Sequence, residues 1–237
     1  MRRANGKGRQ RSRREHLRSQ AFSAAVRGQE STSSELHEER LDAVLGILLR
    51  SGVRSVLDLG CGSGSLLRRL VEHEQFSRIM GIDTSAEALS LAEQLLSGCS
   101  ENQDRWALEQ RSLASLIARP AAVEAITMVE TIEHIPLSEL SAVERAVFTI
   151  PRPALVLITT PNREYNVLYG LAEGELRHAE HQFEWDRRRF RVWASGAGDR
   201  NGYQVNLQDI GRSDPLLGSP TQMAIFRRKD GATHDNE

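Results

Sequence analysis

The stretch MVETIEHIP, residues 128–136, sets Glu130, Glu133 and His134 at i, i+3 and i+4 inside an otherwise apolar run. Burial of charge there is costly unless the charge is paired or bound to a metal. On a helical turn this spacing brings all three side chains to one face. Two carboxylates and one imidazole form a mixed oxygen and nitrogen donor set that suits Mg2+ or Mn2+, the imidazole favouring Mn2+ or a softer divalent ion. A fourth ligand has to come from elsewhere. The polar segment RHAEHQFEW, residues 177–185, offers His178 and His181, and we take His181 as the candidate. The bland alternative is a solvated helix face with ordinary surface histidines.

A second group of residues lies upstream. SVLDLGCGSG places Asp58 two residues before Gly60, with Gly62 and Gly64 following, and RIMGID ends on Asp83. A glycine loop between a strand and a helix lets backbone amides approach a nucleotide-like ligand closely. The spacing is G-x-G-x-G, with Ser65 where the dinucleotide fingerprint would have its third glycine, so a nicotinamide cofactor is the weaker reading. Asp58 with the glycines, followed by a strand-terminal Asp83, resembles motif I and the next acidic strand end of class I S-adenosylmethionine-dependent methyltransferases. That resemblance implies that the glycines and Asp58 line the methionine side of the cofactor and that Asp83 binds its ribose.

These residues need a scaffold, and the hydrophobic pattern supplies one. Leu41, Val44, Leu45 and Leu48 form a helical stripe that Gly52 closes. Then SVLDLG, RIMGID, AITMVE and ALVLITT read as strands, alternating with helical SLLRRLVEHE and a Ser-capped SAEALSLAEQLLS. Such alternation implies an α/β fold with a doubly wound, mainly parallel, Rossmann-like sheet. Glu130 then falls at the carboxyl end of a strand, the edge where ligands bind in such sheets. Beyond Pro161 the pattern loosens to Trp185, followed by a helix at DRRRFRVWASG and strands near YQVNL and TQMAIF.

Bulk properties narrow the classes. The 237 residues are 39% hydrophobic and 27% charged, and no run approaches the roughly 18 apolar residues of a membrane-spanning helix. Cys61 and Cys99 are too few for a disulfide framework or a cysteine-ligated zinc site, which suits a reducing, cytoplasmic setting. Residues 1–20 carry eight Lys and Arg against one Glu, a local +7 within a net charge of −1 that leaves −8 for the rest. We read residues 1–33 as a basic disordered arm and linker, 34–228 as one catalytic domain and 229–237 as a tail. The arm is either solvated or a contact for phosphates.

Taken together, ETIEHI, TTPNREYNVLYG, RHAEHQFEWDRRRFRVWA and GSPTQMAIF resemble the Hua-enhancer family of small-RNA 3′-terminal 2′-O-methyltransferases, over residues from about 35 to 227. The resemblance implies methyl transfer from S-adenosylmethionine to the 2′-hydroxyl of the last nucleotide of an RNA with a free 2′,3′-hydroxyl end. It also implies one divalent ion (Mn2+ or Mg2+) held by Glu130, Glu133, His134 and His181. Ser112 stands where a contact to the cofactor's adenine is expected, whereas Arg111 replaces a common Gly and Ile117 a common acidic residue. Asn162, Glu164, Tyr165 and Asn166 either bond the terminal nucleotide or form a capped turn. Arg187, Arg188 and Arg189 open a helix, which the helix dipole disfavours unless a phosphate partner offsets it. Bacterial members that work with an RNA-repair enzyme carry a long amino-terminal region that this sequence does not show, so such a partner is not implied. The rival readings are a metal-independent methyltransferase acting on a small molecule or protein, and a catalytically silent RNA-binding scaffold.

Overall fold

The structure, a computed structural model, describes residues 34–99, 103–112, 123–149 and 152–229. The basic arm, the loop carrying Ile117 and all but the first residue of the tail lie outside the described residues. The chain divides into two units, Met1–Glu39 and Arg40–Glu237, and every strand belongs to the second.

Helix α1 runs over 34–51, and its Leu41, Val44 and Leu48 are buried, as the stripe requires, with Ile47 beside them. After it come β1 (Ser55–Leu59), α2 (Ser65–Val71), β2 (Arg78–Asp83), α3 (Ala86–Ser97), β3 (Trp106–Gln110) and β4 (Ala125–Val129). A short helix α4 (Leu140–Glu144) widens into a π-helical stretch, Arg145–Thr149, ahead of β5 (Leu155–Pro161). Helix α5 (Arg187–Asn201) and the strands β6 (Tyr203–Ile210) and β7 (Thr221–Arg228) complete the described chain. The seven strands form one sheet in the order β3-β2-β1-β4-β5-β7-β6. The first five are parallel, whereas β7 runs antiparallel to β5 and β6 antiparallel to β7. This is the doubly wound class that alternating strands and helices predict.

Strand order reverses between β1 and β4, the place where doubly wound sheets bind ligands outside their carboxyl ends. Register delivers the site residues to that edge. Leu59 pairs with Ile82, so Gly60 and Asp83 leave the sheet side by side. Val129 pairs with Thr159, so Glu130 emerges next to Thr160. Strand β5 is buried along its whole length and fixes this edge from the other side.

Three elements depart from the sequence expectation. Strand β3 carries no continuous apolar run because, at the sheet margin, it buries little. Helix α4 and its π-helical continuation have no counterpart among the expected elements. Helix α5 continues five residues past the expected end at Gly196, because Ala194, Ala197 and Gly198 let it close onto β6. A Cβ on Gly198 would lie 2.3 Å from the Val205 side chain. Its arginine-rich start is stabilised by Asp186, whose side chain accepts from the Arg189 N–H at 2.6 Å as an N-cap.

Candidate active site

The cofactor side is built from backbone. Gly60 has φ of 74°, and a Cβ there would come 2.4 Å from the Thr131 side chain, so only glycine fits both the turn and the approach. The N–H groups of Gly60 and Cys61 donate to the Ile82 carbonyl, at 2.8 and 3.1 Å, which closes the loop over β2. The Asp83 carboxylate accepts from the Gly62 N–H (2.8 Å) and the Ser85 N–H (2.9 Å). Ser85 in turn caps α3 by accepting from Ala88 N–H at 3.1 Å.

A cleft of about 610 Å3 opens at this edge, bordered by Gly60, Asp83, Arg111, Ser112, Glu130 and His134. Gly62 and Gly64 shape the turn behind it. Gly64 serves packing, since a Cβ there would lie 2.9 Å from Ala92. Asp58 does not border the cleft. It is buried beneath the loop and accepts from the Thr127 hydroxyl at 2.6 Å. Burial pushes its pKa up to about 7, against the pull of that hydrogen bond and with a smaller push from Asp83.

The second half of the site joins remote segments. ETIEHI does not form a helix: Glu130 ends β4 at φ 51°, and a single 3-10 turn, Ile132–His134, follows. The expected common face of Glu130, Glu133 and His134 is therefore split. Glu133 and His134 instead meet His181, with one ligand atom from each within 4.8 Å of the others. Glu130, on the cleft border, accepts from the Thr159 hydroxyl (3.0 Å) and pairs with Arg40 at 3.2 Å. His178 lies outside the three-residue group, its ring 6.2 Å from that of His134.

Glu133 is fully buried. Its Oε2 accepts from the Thr160 hydroxyl at 3.1 Å, while Oε1 has no hydrogen-bond partner among the described residues. Burial, then the neighbouring Glu130 carboxylate, drive its pKa well above the usual range. An anionic ligand is costly in such a place unless a cation joins it. For His134, burial and then the imidazoles of His181 and His178 hold the pKa below the ordinary histidine value, which favours the neutral ring that can ligate. The orphaned oxygen, the two imidazoles and their convergence fit a single divalent cation.

The loop carrying His181 is held by residues that spacing does not single out. Glu184 is buried and its Oε1 lies 2.6 Å from His181 Nδ1. Its other oxygen accepts from the Asn166 amide at 2.5 Å. The Gln182 N–H donates to the Glu133 carbonyl at 2.8 Å, tying this loop to the 3-10 turn. Phe183 and Trp185 anchor it in the core, their rings 4.4 Å apart. The sequence does contain a signal, since Glu184 stands between two aromatic residues in FEW, but its partner cannot be read from that.

The residues of NREYN form a capped 3-10 segment. Asn162 accepts from Glu164 N–H at 3.0 Å and donates to the carbonyls of Leu217 and Ser219, Tyr165 is buried, and Asn166 serves Glu184. Glu164 pairs with Arg187 at 2.6 Å. Arg187 therefore has a protein partner, while Arg188 and Arg189 are exposed.

Comparison with known proteins identifies the family. A family profile described as a methyltransferase domain matches residues 57–152. The solved methyltransferase domain of bacterial CtHen1-C is 38% identical, with a TM-score of 0.74 over 82% of this chain and 100% of that one. The small RNA 2′-O-methyltransferase of Arabidopsis thaliana is 30% identical over 82% of this chain and 23% of its own length. That of Rattus norvegicus is 30% identical over 83% and 52%. The chain thus spans about half or less of these two curated relatives. Full coverage of the bacterial domain at this identity shows that the chain belongs to the Hua-enhancer (Hen1) family of methyltransferases.

Proposed function

We propose that this chain transfers the methyl group of S-adenosylmethionine to the 2′-hydroxyl of the 3′-terminal nucleotide of a small RNA, with one divalent ion at Glu133, His134 and His181. The observation that carries this reading is the convergence of those three side chains, one with an orphaned buried oxygen, beside a cleft that also holds the cofactor loop. The names of the curated relatives support RNA as the substrate class.

Within this reading Gly60, Asp83 and Ser112 border the cofactor, Asp83 reaching the ribose hydroxyls with lone pairs left by Gly62 and Ser85. Asp58 acts from beneath, holding β1 to β4 through Thr127. Glu130, paired with Arg40, stands next to the three ligands as the candidate fourth. A ribose hydroxyl is a weak nucleophile, and a bound divalent ion supplies the acidity and charge stabilisation that it lacks. The chain contributes the neutral imidazole of His134, a buried carboxylate that repels a second anion, and a cleft wall that orients the terminal ribose toward the sulfonium. The methyl carbon passes directly from the sulfonium sulfur to the 2′-oxygen, leaving S-adenosylhomocysteine, and the hydroxyl proton leaves to a cleft imidazole or to water, with no covalent enzyme intermediate.

The test is transfer of labelled methyl to matched short RNAs ending in a 2′,3′-diol, a 2′-deoxyribose or a 3′-phosphate. Labelling confined to the diol end is expected. Equal labelling of the 2′-deoxy RNA contradicts the proposed acceptor atom.

A further inference from the structure

Glu184 is the one buried carboxylate in the loop spanning 177–185, and every contact that it makes closes that loop. Its Oε1 takes the Arg177 N–H at 2.7 Å and meets His181 Nδ1 at 2.6 Å, while Oε2 takes the Asn166 amide at 2.5 Å. Asn166 cannot rotate to offer its oxygen instead, because that oxygen accepts from Arg177 Nε at 2.6 Å. Two fixed donors, the Arg177 N–H and the Asn166 amide, thus make both Glu184 oxygens acceptors.

With both Glu184 oxygens already accepting, the 2.6 Å contact is satisfied by a proton on His181 Nδ1. In the neutral ring this leaves the Nε2 lone pair open. We infer that Glu184 is the positioning residue that fixes His181 in this tautomer and presents Nε2 to a divalent cation shared with Glu133 and His134. The inference rests on the metal reading above and adds to it the group that makes His181 a competent ligand. Outer partners of this type orient the ring and raise its basicity.

Two measurements on the full chain test it. The first is the 15N spectrum of the His181 ring without metal: the Nδ1–H tautomer is expected in the wild type, and loss of that preference in Glu184→Ala, which removes the acceptor facing Nδ1. A wild-type ring in the Nε2–H form overturns the inference even if the variant does not fold. The second is calorimetric titration with Mn2+: Glu184→Ala is expected to bind about 10- to 100-fold more weakly, with S-adenosylmethionine affinity unchanged. Equal Mn2+ affinity in the variant and wild type overturns the inference. If the wild type binds no Mn2+, the metal reading falls, while the tautomer measurement still decides the role of Glu184.

Discussion

The two halves of the cleft are made in different ways. On the cofactor side, the Gly60 and Cys61 N–H groups bond the Ile82 carbonyl, the Asp83 carboxylate accepts from the Gly62 and Ser85 N–H groups, and the one buried carboxyl, Asp58, has a hydroxyl partner. On the opposite side, Glu133, His134 and His181 come from the end of β4 and a loop nearly fifty residues later, and Glu133 keeps an orphaned oxygen. Backbone can shape a site for a ligand at little electrostatic cost. Converging carboxylates and imidazoles carry a standing cost, which points to a cation as the missing partner.

That contrast can be broken most sharply by removing ligands. Glu133→Ala or His181→Ala should abolish methyl transfer while calorimetric binding of S-adenosylmethionine persists. Retained turnover in either variant removes that residue from the metal set. A smaller effect concerns the buried charge on the cofactor side. With a folded pKa raised from 3.8 to about 7, Asp58 holds its proton in the native state at pH values where the unfolded chain has released it. Its contribution to stability is therefore complete below pH 4 and is lost as pH rises through 7. The change is on the order of 4 kcal/mol at full extent. Urea denaturation of the cofactor-free protein between pH 4 and 8 should show this decline, and Asp58→Asn should flatten it.

Gly60→Val probes the backbone half directly. Forcing a branched side chain into positive φ against Thr131 should cost about 1–3 kcal/mol, read as a lowered Tm together with weaker cofactor binding. The smallest effect is expected at Arg187, whose pair with Glu164 is partly exposed. Arg187→Ala should change stability by less than about 1 kcal/mol, read as a small shift in the urea midpoint.

The same contrast explains what can be read from the sequence. The cofactor loop is legible because its residues are local: strand, glycines and strand-terminal Asp83 follow in order, and parallel register does the rest. Glu133, His134 and His181 are legible as residue types in motifs. The position of Glu130 is not, because the i, i+3, i+4 argument assumes a helix, whereas β4 ends in a left-handed residue and a single 3-10 turn. Motif resemblance puts Asp58 in the cleft, yet it lies under it, since alternation along β1 turns its side chain toward Thr127. Glu184 cannot be found at all from spacing, because its partners, Asn166 and His181, meet it only through the folded loop. The arginines at the start of α5 suggest a phosphate partner, and the fold supplies Asp186 and Glu164 for that helix start instead.

The central claim, a divalent ion held by a buried carboxylate and two histidines in a methyl-transfer site, is tested most directly by metal dependence of the reaction. Labelled methyl transfer to a diol-ended RNA should be measured with Mn2+, with Mg2+ and with chelator, in the wild type and in Glu133→Gln. Transfer that requires a divalent ion and is lost in the variant is the result predicted. Transfer that proceeds equally in chelator would contradict the account and make this a metal-independent methyltransferase on the same fold.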